Sequence, residues 1–106
     1  MSTFGKLHDL RAFQRRQLPL LHSLEDFDVI VEIGYHQDLG RPLTLKRLFL
    51  QNIGSVATVQ RRLSRLKQLG VVQQTRSPRD RRNLELTVSP EVRRLYSRMG
   101  KLLVQG

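Results

Sequence analysis

The apolar residues between positions 56 and 88 follow two periods, and Gly70 stands where one gives way to the other. Val56, Val59, Leu63 and Leu66 are spaced three and four apart, the repeat of one helix face. Leu84, Leu86 and Val88 alternate with Glu85 and Thr87, the repeat of a strand covered on one side. Between them lie a β-prone run, Val71 to Thr75, and the turn chemistry of Ser77-Pro78-Arg79-Asp80. This spacing predicts a helix over 56–69, capped by Ser55 and closed by a left-handed Gly70, then a β-hairpin with a basic tip.

The same signals organise the flanks. Thr44 can cap a short helix over 45–52, with Leu45, Leu48 and Phe49 inward, and Asn52-Ile53-Gly54 makes a turn. Residues 24–38 read as a longer helix. Ser23 caps it, Glu25 and Asp26 suit the positive end of its dipole, and Gly40-Arg41-Pro42 stops it. Its expected apolar face is Leu24, Phe27, Ile30, Val31 and Ile33. A first helix is expected over 4–16, with Leu7, Leu10 and Phe13 on one face, ending ahead of Pro19. Ser89-Pro90-Glu91 opens a last helix over 90–104.

The predicted order is helix, helix, short helix, turn, helix, hairpin, helix. It is mainly α with a small β-hairpin, the winged helix-turn-helix architecture, and 106 residues give room for one such domain. The terminal helices, about 4–16 and 90–104, are candidates for a dimer interface. Leu95, Met99, Leu102 and Leu103 form a stripe that is either core or dimer interface, because so small a domain has little of its own chain to cover it.

Composition matters chiefly through charge. Nineteen Lys and Arg face nine Asp and Glu, a net charge of +10 that favours a polyanionic partner. The excess has an address: residues 55–82 hold eight basic residues and one acidic, whereas residues 23–54 hold three basic and five acidic. The chain has no cysteine, which removes disulfides and thiolate metal sites and fits a reducing compartment. No apolar run approaches a membrane span and the N-terminus lacks a signal-peptide core, so a cytoplasmic protein is expected.

The polar face of helix 56–69 carries Thr58, Arg61, Arg62 and Arg65. Arginine can donate two hydrogen bonds to guanine in the major groove, which an α-helix fits. Ser55, at the helix start, would lie near bases or donate to a phosphate. An exposed helix built only for stability usually mixes charge signs, and this face has no acid three or four residues away. The hairpin repeats the bias with Arg76, Arg79, Arg81 and Arg82. A hairpin tip can reach a neighbouring minor groove, where negative potential favours arginine. Asp80 could orient Arg82 by a charge-assisted hydrogen bond, make an Asx-turn, or do both.

These residues resemble the MarR family of winged-helix regulators. Leu43-Thr44 opens a short helix at that family's usual distance from Ser55. Thr58-Val59, Arg61, Leu63 and Arg65-Leu66, followed by Gly70-Val71-Val72, are similar to its recognition helix entering the first wing strand. Arg79-Asp80-Arg81-Arg82 resembles its wing, and Val88-Ser89 stands where Leu-Thr is usual. The resemblance covers about 24–98. It implies a homodimer on palindromic double-stranded DNA, usually repressing transcription and sometimes released by a small ligand. It further implies that Thr58, Arg61, Arg62 and Arg65 read the major groove, and that Arg82, held by Asp80, enters the minor groove. Phe49 and Ile53 depart from the pattern, which commonly has a small residue and a glycine there. Both ends are shorter than usual, so the family's ligand pocket is expected to be reduced, which counts against a small-molecule effector.

Other functions find less support. His8, His22 and His36 are scattered, without carboxylates or cysteines at ligand spacing, so no metal, cofactor or enzyme activity is expected. No phosphate loop, nucleophile elbow or zinc-protease motif occurs. Glu25, Asp26, Asp28 and Glu32 read as a solvated acidic face, or one paired with a basic partner. The chief alternative is a winged-helix module docking an acidic protein. Single-strand binding is disfavoured because no aromatic residue falls between positions 50 and 95.

Overall fold

A computed structural model describes residues 2–19 and 23–104; His22 lies outside them. The chain forms two compact units, residues 23–89 and the pair of terminal segments, 1–22 with 90–106.

The central unit begins with α2 (Leu24–Asp38), preceded in the chain by α1 (Thr3–Gln17) of the other unit. Ser23 caps α2 by accepting a hydrogen bond from the Asp26 amide at 3.2 Å. The buried stripe of α2 is Asp26, Val29, Ile30 and Ile33. This corrects the expected face: Leu24 is 78% exposed and Val31 41% exposed, while Asp26 is fully buried. The helix is thus rotated from the orientation that maximises apolar content, and a carboxylate goes inward because a cation meets it there.

Next come α3 (Leu45–Phe49), capped by Thr44, and α4 (Val56–Gln68), capped by Ser55. Helix α3 is shorter than the expected 45–52, because the chain reverses at Asn52, whose φ is +58°. Asparagine tolerates that left-handed backbone better than most residues. The core face of α4 is Val59, Leu63 and Leu66, all buried, with Val56 left 54% exposed in the first turn. The C-terminal reversal falls on Gly70, φ +76°, and the Val71 amide donates to the Leu66 carbonyl, closing the last turn.

Strands β1 (Val72–Arg76) and β2 (Leu84–Val88) pair antiparallel, Val72 opposite Val88 and Arg76 opposite Leu84. Their inner face is Val72, Leu86 and Val88, while Leu84 is 40% exposed. Thr44 forms an isolated bridge with Glu85, and the Leu86 amide donates to the Leu43 carbonyl at 2.8 Å. The segment entering α3 thereby lies along the outer edge of β2 and ties the short helix to the wing. At the other end of β2, the Val88 amide donates to Gln37 Oε1 of α2 at 2.8 Å. Leu43, Leu48, Leu66 and Leu86, each at most 1% exposed, fill the centre with Val29, Ile30 and Ile33. Removing one such leucine side chain costs about 2–5 kcal/mol.

The terminal unit is a helix pair, α1 and α5 (Pro90–Val104). Lys6 Nζ donates to the Leu103 carbonyl at 3.3 Å, and the Arg98 guanidinium lies 5.5 Å from the centre of the Phe13 ring. The contact partner in α5 moves back from Leu103 to Arg98 as α1 advances from Lys6 to Phe13, so the helices run antiparallel. Phe4 and Val104 are 83% and 84% exposed, and Leu7 and Leu103 about half exposed, at the end where Lys6 meets Leu103.

Candidate nucleic-acid interface

Both basic elements picked out in the sequence belong to the central unit. Helix α4 contributes the first. Ser55 Oγ accepts from the Thr58 amide at 3.2 Å and donates to Thr58 Oγ1 at 3.0 Å. The cap therefore organises the first turn and leaves Thr58 Oγ1 with a spare acceptor position at the exposed start of the helix. Arg61 is exposed, and it shares a shallow surface groove with Ala57, Gln60, Ser64, Arg65 and Gln68. That groove lies on the side away from Val59, Leu63 and Leu66. Arg62 is half-buried on the flank of α4, with its Nε enclosed.

Arg65 is placed differently from its expected neighbours. Its Nη1 donates to Asp26 Oδ2 at 2.9 Å, a salt bridge from α4 to the fully buried carboxylate of α2. The sequence grouped Arg65 with the groove-facing arginines, but the structure commits its charge inward. The absence of an acid three or four residues away was no guide, because the partner lies 39 positions upstream.

The wing is the second element. Arg82 donates from its amide and Nε to Asp80 Oδ1, at 3.1 and 3.2 Å, and from Nη2 to Oδ2 at 3.3 Å. Asp80 thus makes an Asx-turn and a two-point guanidinium contact together. The Arg82 guanidinium beside it holds the Asp80 carboxyl below the usual aspartate range. Buried Ser77 supports this loop, its Oγ accepting from the amides of Arg79 and Asp80. Arg76 donates to the Arg81 carbonyl at 2.8 Å, and Arg79 to the Gly40 carbonyl at 3.3 Å. Arg81 is exposed, and the Arg82 side chain is 91% exposed while still anchored to Asp80.

A concave surface runs between the wing and the start of α3. Arg41, Lys46 and Arg47 line it from the segment around the start of α3, and Arg79, Asp80, Arg82 and Glu85 from the hairpin. Sequence reasoning missed Arg41, Lys46 and Arg47, because no helical or strand period links them to the wing. It also missed Gln60, Ser64 and Gln68, polar residues on the outermost ridge of α4. Counting three from Ala57 and from Arg61 finds Gln60 and Ser64, and four more from Ser64 reaches Gln68.

The described residues include no group of three His, Cys, Asp or Glu able to hold a metal ion. No described helix is long and apolar enough to cross a membrane.

Element order and hairpin pairing define a winged helix-turn-helix, and comparison with solved structures specifies its type. FabT of Streptococcus pneumoniae in complex with DNA matches with a TM-score of 0.62 at 23% identity, over 87% of this chain and 64% of the FabT chain. MepR of S. aureus bound to ethidium bromide matches at 0.72 and 13% identity, over 92% of this chain and 69% of that one. A MarR mutant from E. coli complexed with operator DNA matches at 0.60 and 18% identity, over 96% and 71%. The chain spans less than two thirds of the FabT length and somewhat more of the other two. No family model and no curated protein matches its sequence. The fold is therefore the MarR-type winged helix.

Proposed function

We propose that this protein is a sequence-specific double-stranded DNA-binding transcription regulator. The observation that carries the reading is the wing: an exposed arginine, Arg82, is pre-oriented by Asp80 on a loop that is itself fixed by Ser77. A guanidinium held at two points loses little freedom on entering a narrow minor groove, where negative potential attracts it. Helix α4 would sit in the adjacent major groove, with Thr58, Arg61 and Arg62 toward base edges and Ser55 at the phosphate end. Arg76, Arg79 and Arg81 add charge to the wing, and Arg41, Lys46 and Arg47 extend it along the backbone. The DNA complexes of FabT and MarR share the fold and support this assignment of partner.

A homodimer on a palindrome follows from the same reading. The exposed apolar cluster of Phe4, Leu7, Leu103 and Val104 gives the terminal helix pair a surface for a second copy. A dimer seated across a promoter blocks it, so repression is the proposed outcome. The chemistry is binding, with no reaction catalysed.

Selection of bound sequences from random duplex DNA tests the reading directly. An enriched palindrome, with half-sites about one helical turn apart, is expected. Failure to enrich any motif while an acidic protein partner binds would replace this function with protein docking.

A further inference from the structure

We propose that Asp26 is a positioning residue for DNA recognition: it seats α4 against α2 through Arg65, and Arg65 itself does not contact DNA. This rests on the DNA-binding reading above. Asp26 is fully buried and comes from α2, outside both basic elements. The Ser23 cap turns it inward at the start of α2, onto the stripe shared with Val29, Ile30 and Ile33. Its carboxylate receives Arg65 at 2.9 Å from a helix face whose neighbours, Leu63 and Leu66, are core. A carboxylate taken out of water is tolerated only with a paired, hydrogen-bonded cation, so the pair strongly prefers one setting of the two helices.

Apolar contacts alone leave α4 some freedom to roll, because leucine packing is not directional. A short charge-assisted hydrogen bond is directional. It fixes which residues of α4 point outward, and therefore where Arg61 and Thr58 stand relative to a groove. The Arg65 side chain is 27% exposed and borders the Arg61 groove, while its Nη1 is held by Asp26.

The expected signs oppose simple electrostatics. Removing an acid beneath a DNA-binding helix should, by charge alone, tighten binding. Here Asp26→Asn is expected to lower the ratio of specific to non-specific affinity by about tenfold.

The decisive experiment uses the full chain and the motif obtained by selection; if the unaltered protein yields no motif, the DNA reading itself fails and this proposal is not what failed. Binding to that motif and to a scrambled duplex is measured over a salt series for Arg65→Met and for the double variant Asp26→Leu/Arg65→Met. Arg65→Met leaves a buried carboxylate without its cation and is expected to lose about tenfold or more in specific affinity. The double variant replaces the pair by apolar side chains and should recover to within about threefold of the original protein, with its salt slope unchanged. A double variant as weak as Arg65→Met, with a salt slope shallower by about 0.9 per lost contact, would make Arg65 a DNA contact and overturn the proposal. Should the double variant lose its helical circular dichroism, Asp26→Asn decides: a specificity ratio that is unchanged or raised refutes the positioning role.

Discussion

Asp80 illustrates how much one residue can set. The loop from Ser77 to Asn83 closes through backbone bonds, the Ser77 amide to the Asn83 carbonyl and the Asn83 amide to the Asp80 carbonyl. Asp80 then directs Arg82 outward from that frame. Asp80→Asn keeps the Asx-turn acceptor but removes the charge, so Arg82 should remain exposed yet less ordered. Both Asp80→Asn and Arg82→Ala are expected to weaken binding more on A·T-flanked sites than on G·C-flanked ones. Equal losses on the two flanks would argue against minor-groove insertion. The pH dependence has a defined sign. A carboxyl held below its ordinary range contributes order above that range and loses it as the pH falls through the depressed value. The Asp80–Arg82 contact should therefore be indifferent to pH from neutrality down to weak acid and loosen below it. An NMR titration of the Asp80 carboxyl and the Arg82 side-chain signal measures this, and a midpoint at or above that of a free aspartate contradicts it.

At the scale of elements, α4 joins stability to recognition. Ser55 satisfies an amide of the first turn and also fixes Thr58. Ser55→Ala should cost about 1 kcal/mol of stability, read as a fall of several degrees in melting temperature. On the outer face, Arg61→Ala or Arg62→Ala should cost about 1–3 kcal/mol of specific affinity if the guanidinium reads a base. Loss of binding with no relaxation of the selected motif would instead mark both as phosphate contacts. The sequence located these elements well: the bounds of α2 and α5 agree with the expected 24–38 and 90–104, and Gly70 ends α4 as its position indicated. Facing was less legible. Leu24 and Val31 look like core residues in a linear pattern, whereas Asp26 shares the stripe of Val29, Ile30 and Ile33. The spacing of three, four and seven from Asp26 was present in the sequence, but a carboxylate on an apolar stripe is interpretable only once its cation is known.

For the whole molecule, the net charge of +10 predicts binding that salt weakens steeply. Lys46→Gln and Arg47→Gln, on the concave surface beside the wing, should each make the salt slope shallower by about 0.9 per protomer, with the selected motif unchanged. A change of motif would move these residues from the backbone to the bases. The two units divide the labour in this reading. The central unit holds every residue proposed to touch DNA, and the terminal helix pair carries the exposed apolar cluster proposed to pair two copies.

The sequence by itself determined the order of elements, their caps and turns, and the concentration of arginine in one quarter of the chain. Those are properties of neighbours along the chain, where period, φ preference and local charge act over a few residues. Only the tertiary structure decided that Arg65 turns inward to Asp26 and that Arg41, Lys46 and Arg47 join the wing. The reason is physical: an ion pair and a concave surface depend on distances through space, and residues far apart in sequence meet only after the apolar faces have packed.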